Sequence, residues 1–267
     1  AFNGDKNEIL KLAASLERFS EHHLAKPIVE RVKTENLEFL EVKNFEAVAG
    51  KGVKGDLIIR GEQFSAAVGN RALMKDFNLA IQNIEKDIQK LEEEGKTVVI
   101  LAIENQVKGL LAVADTLKDE SIGVVKSLKK EGLEVWMLTG DNERVARAIA
   151  LKVGIENIMA QVLPQEKAEK VRELQKRGLL VAMAGDGIND APALAASDVG
   201  IAMGAGTDVA MESAGITLIK SDLRDVVSAI KLSKKTLAII KQNLFWAFFY
   251  NTAFIPVAAG VLFPFFG

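Results

Sequence analysis

Gly185-Asp186-Gly187-Ile188-Asn189-Asp190-Ala191-Pro192 follows the apolar run Leu179 to Ala184, and the reading of this junction decides the fold. The apolar run is expected to form a strand that delivers two carboxylates and an amide to its tip. Gly185 and Gly187 let the backbone turn sharply there and approach a ligand closely. Asp186 and Asp190 are hard oxygen donors of the kind that hold Mg2+ while leaving positions for water and phosphate. Asn189 adds a neutral donor within reach of a phosphoryl oxygen.

A second segment leads to the same chemistry. Val135-Trp136-Met137-Leu138 is an apolar strand candidate that runs into Thr139-Gly140-Asp141-Asn142 and then a helical pattern from Glu143 to Val153. Thr139 falls at the strand end, where its hydroxyl and nearby N–H groups face an anion at a helix N-terminus. Taken alone, Thr-Gly-Asp-Asn is equally an ordinary helix cap. Lys167, after Leu163-Pro164 and near the start of a charged helix, is a phosphate counter-charge candidate, because phosphoryl transfer needs chiefly positioning and charge neutralisation.

These three segments, in this order, resemble the phosphorylation domain of P-type ATPases, within the haloacid dehalogenase-like superfamily. The match extends through Gly200-Ile201-Ala202-Met203-Gly204 and Thr207-Asp208-Val209-Ala210. The resemblance implies that Thr139, Gly140 and Asp141 form the phosphoryl-binding turn and that Lys167 neutralises the group. It implies that Asp186 and Asp190 hold Mg2+, with Asn189 supporting the phosphate. Asp115-Thr116-Leu117-Lys118 is similar to the family's hinge, with Asp115 at its start. The family's nucleophile is the Asp of Asp-Lys-Thr-Gly-Thr, and nothing here matches it. Asp5-Lys6 continues as Asn7-Glu8-Ile9 and reads as the cap of a first helix. An aspartyl-phosphate intermediate needs that carboxylate. The chain is therefore expected to be a fragment of a longer transporter, with the upstream strand and helices missing and the sheet one member short.

Composition sets the outer limits. A length of 267 residues suits about two ordinary domains. A net charge of -2 gives no argument for a nucleic-acid surface. The absence of cysteine excludes disulfides and thiolate metal sites within these residues. From Gln242 to Gly267 no residue is charged, after Lys231, Lys234, Lys235 and Lys241. That length can cross a bilayer, and the lysines suit a cytoplasmic flank. Pro256 within it predicts a kink.

In the N-terminal half, Ile9, Leu12, Leu16 and Phe19 recur at helical spacing, and a second helix is expected around Val29 to Lys33, with Pro27 in its first turn. Strands are expected at Glu38–Val48, Val53–Arg60, Gln63–Val68, Thr97–Ile103 and Val107–Val113, and a charged helix at Asn78–Glu94. Helices on a mostly antiparallel sheet fit this order. Gly50, Gly52 and Gly69 mark strand ends, where glycine serves turns whether or not a ligand is present. Glu17 and His22 stand about 140° apart on an ideal helix, so one pocket for both requires a break. Glu17, His22, Gly50, Gly52 and Gly69 resemble the nucleotide-binding positions of heavy-metal P-type ATPases, which implies ATP as ligand. Where the family has His-Pro, this chain has His22-His23.

Tyr250-Asn251, with Asn243 and Pro256, resembles the membrane signature of the copper(I) class and implies Tyr250 and Asn251 on a metal pathway. Polar groups at such depth usually carry a role or a partner. Zinc, cadmium or silver is the alternative cargo. The expectation is thus an α/β chain in three parts. Residues 1–113 form an α+β nucleotide-binding domain, and 114–235 a doubly wound haloacid dehalogenase-like phosphorylation domain. Residues 236–267 form a juxtamembrane segment and transmembrane helix of a multi-pass membrane protein, with 1–235 cytoplasmic. The implied partners are ATP, Mg2+, copper(I) and the bilayer. A soluble haloacid dehalogenase-like phosphatase, or a nucleotide-binding fragment without turnover, stays open.

Overall fold

The structure, a computed structural model, describes residues 5–260 and 263 other than 21, 23, 115, 116, 186, 187 and 205–207. The chain divides into two compact units, residues 1–118 with 135–162, and residues 119–134 with 163–267.

The first unit opens with helix α1 (Lys6–Glu17), capped by the Asp5 carboxylate, which accepts the Asn7 N–H at 3.2 Å. Asp5 is thus the helix cap that its context indicates. Helix α2 (Ala25–Thr34) follows, with Pro27 tolerated in its first turn. Five strands then form an antiparallel sheet in sequence order: β1 (Glu41–Val48), β2 (Gly52–Ile59), β3 (Glu62–Gly69), β4 (Thr97–Ile103) and β5 (Gln106–Val113). Helices α3 (Arg71–Asp76) and α4 (Glu85–Glu93) fill the β3–β4 connection. The charged helix expected from Asn78 starts later, because Asn78 itself is left-handed at φ 54 and a 3-10 turn at Gln82–Ile84 precedes α4. Strand β4 explains why its sequence is an unbroken apolar run. Val99, Leu101 and Ile103 pack into the core that also contains α1 residues Ile9, Leu12 and Leu16. Val98, Ile100 and Ala102 pack into a second core with Leu73, Met74, Ile84 and Ile88 of the α3–α4 segment. Period-two alternation with both faces covered removes the polar positions.

The same unit holds a parallel pair, β6 (Trp136–Leu138) and β7 (Asn157–Met159), joined through α6 (Glu143–Val153); the intervening label α5 belongs to Glu120–Lys130 in the second unit. Asn142 caps α6 through its Val145 N–H at 3.1 Å, and Gly154 ends it in the left-handed region at φ 80.

In the second unit, α7 (Lys167–Lys176), β8 (Ala182–Gly185), α8 (Ala191–Ala196), β9 (Val199–Met203), α9 (Asp208–Ser213) and β10 (Ile216–Leu218) follow in order. The three strands are parallel, in the order β10-β9-β8. Strand β8 begins at Ala182 rather than Leu179, since Leu180 is 90% exposed. Helix α10 (Leu223–Ala258) starts from an Asp222 cap and runs without interruption past residue 235, with Pro256 in its last turn. Among the described residues no helix is long and apolar enough to cross a membrane. The transmembrane expectation for 236–267 reaches beyond α10, which ends at Ala258. Residues 261, 262 and 264–267 of the expected span lie outside the described residues.

Candidate functional site

At the end of β6 the chain turns through Thr139-Gly140-Asp141-Asn142 into α6. The turn is fastened from both sides. Thr139 N–H donates to Met159 O at 3.0 Å, Val162 N–H to Thr139 O at 3.1 Å, and Gln161 N–H to Asp141 O at 2.9 Å. The Thr139 hydroxyl donates to Asp141 Oδ2 at 2.9 Å and accepts the Asp141 N–H at 3.1 Å. The Thr97 hydroxyl, at the start of β4, donates to Asp141 Oδ1 at 3.3 Å. Both Asp141 oxygens are therefore satisfied by hydroxyls. Gly140 carries space for a Cβ, which would meet nothing closer than Val162 O at 3.6 Å.

In the second unit, Lys167 Nζ donates to Asp190 Oδ1 at 2.6 Å, and both side chains are mostly buried, at 17% and 14% exposure. A charge-assisted bond at that length holds the carboxylate in one orientation. Gly185 is required beneath it, because a Cβ there would stand 2.7 Å from Asp190 Cβ and 2.9 Å from Oδ2. Asn189 is exposed beside it. Asp186, the other Mg2+ candidate, lies outside the described residues, as does Asp115 of the hinge. The donor chemistry present, a fixed carboxylate with a neighbouring amide, fits Mg2+, a hard cation that takes oxygen ligands. Among the described residues no group of three or more His, Cys, Asp or Glu is arranged to hold a metal ion. Thr139 and Lys167 belong to different units.

Glu17 is the last residue of α1 and is buried, and burial pushes its carboxyl up from 4.5 to about 7, against the pull of the Ser20 hydroxyl. Because α1 stops at Glu17, the helical angle that separates Glu17 from His22 no longer applies. His22 is exposed; its N–H donates to Ser20 Oγ at 3.2 Å, and Leu24 N–H donates to His22 Nδ1 at 3.3 Å. With Nδ1 accepting, the neutral ring carries its proton on Nε2. Gly52 and Gly69 face each other across the β2–β3 ladder. A Cβ on Gly52 would stand 2.2 Å from Val68 O, and one on Gly69 would stand 2.3 Å from Lys51 O. Backbone approach alone thus accounts for these two glycines. Gly50 differs: it is left-handed at φ 70, with nothing within 4 Å of its Cβ position.

Asn70 was not singled out from sequence, yet it ties this corner together. Its Nδ2 donates to Gly50 O at 2.9 Å, and its Oδ1 caps α3 by accepting from Ala72 and Leu73 N–H at 3.0 and 3.2 Å. An Asn directly before Arg71-Ala-Leu-Met is a cap signal that could have found it. Tyr250 and Asn251 are exposed on α10; Tyr250 stacks on Phe254 at 5.9 Å, and Asn251 Nδ2 donates to its own helix at Ala247 O.

A haloacid dehalogenase-like hydrolase family matches residues 4–198. The chain is 50% identical over 99% of its length to a probable copper-exporting P-type ATPase of Archaeoglobus fulgidus, of which it covers 32%. It is 47% identical over 97% of its length to a copper-exporting P-type ATPase of Bacillus subtilis, covering 32% of that protein. The chain therefore spans about a third of the length of these curated relatives. Among solved structures, a zinc-transporting PIB-type ATPase in its E2.Pi state matches at 34% identity and TM-score 0.69, over 97% of this chain and 42% of that one. The catalytic domain of the CPx-ATPase CopB-B, described upon nucleotide binding, matches at 29% identity and TM-score 0.59, over 85% and 80%. The α/β fold and the resemblance to heavy-metal P-type ATPases read from the sequence are borne out.

Proposed function

Because the chain belongs to the haloacid dehalogenase-like hydrolases, we propose that it is the ATP-binding and phosphorylation part of a copper(I)-exporting pump working through an aspartyl phosphate. The observation that carries the reading is the Lys167–Asp190 pair, 23 residues apart in sequence and 2.6 Å apart in space. It sets a fixed ammonium beside a fixed carboxylate where a phosphoryl group needs both. Copper(I) comes first among cargoes because copper-exporting relatives are 50% and 47% identical, whereas the zinc-transporting structure is 34% identical. Zinc, cadmium or silver is the alternative.

In this reading residues 1–113 hold ATP, with Glu17 and His22 on the purine and the open turn at Gly50 on the ligand side. Residues 114–235 transfer the phosphoryl group, with Asp115 in the hinge. Lys167 neutralises phosphoryl charge, and Asn189 offers an amide N–H to an equatorial oxygen. Mg2+, which Asp186 and Asp190 would hold, supplies further charge neutralisation when bound. At Thr139 the hydroxyl proton is committed to Asp141, so a phosphoryl oxygen meets first the backbone N–H groups at the α6 N-terminus. The accepting aspartate belongs to the parent protein outside these residues. Residues 236–267 lead toward the bilayer, Tyr250 and Asn251 line the metal path there, and 1–235 lie on the cytoplasmic side.

ATP titrated calorimetrically into the 267-residue chain is expected to bind, and His22→Ala to weaken binding about tenfold with unchanged melting. Equal affinity in the variant removes His22 from the site, and no binding by the parent chain overturns the nucleotide reading.

A further inference from the structure

We propose that Glu92 is a positioning residue that carries nucleotide occupancy at the Gly50–Asn70 corner to the Thr139–Asn142 turn. The inference rests on the nucleotide reading of residues 1–113 given above, and it concerns only the first unit.

The contacts form one continuous run. Asn70 N–H donates to Lys51 O at 2.8 Å and its Nδ2 to Gly50 O at 2.9 Å, while its Oδ1 caps α3. A shift of the glycine corner is therefore a shift of the α3 N-terminus. Arg71, the first residue of α3, forks onto two carboxylates of α4. It reaches Glu85 through Nε and Nη2 at 3.1 and 3.0 Å, and Glu92 through Nη1 and Nη2 at 2.5 and 2.9 Å. The same two Glu92 oxygens also accept from Asn142 Nδ2 at 2.9 Å and from Arg144 Nη1 at 3.3 Å. Asn142 is the cap of α6 and directly follows Asp141, which holds the Thr139 hydroxyl. From glycine corner to phosphoryl turn, each link is a hydrogen bond or a covalent neighbour.

Glu92 is 1% exposed and lies on the stripe of Ile84 and Ile88 at spacing i, i+4, where packing alone favours an apolar residue. A carboxylate there is tolerable only when fully paired. Replacement of such a group by an apolar one is often neutral for stability, so its use lies in the single geometry it enforces. Here that geometry locks the cap of α6 to the first residue of α3. A coupling claim of this kind needs a coupling measurement.

Amide hydrogen exchange of the 267-residue chain, read over peptides covering 139–150 with and without saturating Mg-ATP, supplies it. In the parent chain ATP is expected to slow exchange in the first turn of α6 by about fivefold. Glu92→Gln is expected to abolish that slowing while ATP affinity stays within about threefold. Glu92→Asp is expected to restore part of it. Loss of the charge leaves Arg71 and Arg144 facing one another, so Arg144→Met, at a side chain 49% exposed, provides a variant that folds; it is expected to halve the slowing. A merely structural staple changes melting and leaves the ratio with and without ATP untouched. An unchanged ratio in folded Glu92→Gln or Arg144→Met overturns the proposal, as does ATP binding by the parent chain with no slowing at α6. Absence of ATP binding overturns the nucleotide reading instead, and this coupling with it.

Discussion

Glu17 and Glu92 are buried carboxylates in the same unit, each at the C-terminal end of a helix where the macrodipole disfavours an anion. They are held in opposite ways. Glu92 meets two guanidinium groups and an amide, and Glu92 in turn holds the Arg71 guanidinium above its ordinary value. Glu17 meets the Ser20 hydroxyl, and desolvation lifts it to about 7. Burial lifts a carboxyl that has only a hydroxyl beside it, whereas Glu92 is built into a fork of guanidinium groups. The paired one is a fixed strut. The other titrates near pH 7.

The largest effect comes from removing the partner that makes the two sites different. Arg71→Met leaves Glu92 buried with only the half-exposed Arg144 and the Asn142 amide. Breaking a buried pair from one side costs about 3 to 5 kcal/mol, expected as a matching loss of β4 amide protection. The double variant Arg71→Met/Glu92→Met should recover most of it. If Arg71→Met alone costs nothing, the buried charge is not what that fork supports.

Glu17 gives a pH-dependent counterpart of opposite sign. Its folded value is raised from 4.5 to about 7. A raised carboxyl contributes stability in full below about 4.5, and that contribution is lost as pH climbs through 7. The parent chain should therefore lose about 3 kcal/mol across that window relative to Glu17→Gln, which has no proton to lose. Denaturant unfolding at pH 4, 6 and 8 reads this directly: near equality at pH 4, and the Gln variant ahead at pH 8. A difference that stays flat across the three values contradicts an uncompensated buried carboxyl.

Much of this was legible before the structure, and the exceptions share a cause. The α6 limits follow from Asn142 and Gly154, because a cap at each end is a local backbone demand. The strand expected at Thr97–Ile103 is β4 with the same limits. Lys167 and Asp190 were marked for one site by chemistry, and their direct bond follows. By contrast α3 has six residues, too few for a helical period to show, and Asn78 broke the helix extrapolated through it. Glu92 stands in Glu92-Glu93-Glu94, which reads as a solvated face; only its i, i+4 spacing from Ile84 and Ile88 sets it on the buried side. Pairing and burial over long sequence distance are what local patterns leave out.

The smallest expected effect separates the two jobs of Asn142. Its Oδ1 accepts the Val145 N–H at 3.1 Å, and its Nδ2 donates to Glu92 at 2.9 Å. Asp caps helices about as well as Asn. If capping were the whole role, Asn142→Asp would be neutral, or slightly favourable at an N-terminus. The substitution, however, turns a donor facing Glu92 into a second carboxylate beside guanidinium groups of Arg71 and Arg144 that Glu92 already engages. The expected outcome is a net loss of about 1 kcal/mol, read as a lower urea midpoint at pH 8 that shrinks as pH falls and the new carboxylate protonates. A neutral variant at pH 8 assigns Asn142 to the cap alone and leaves Arg144 as the sole tie between Glu92 and α6.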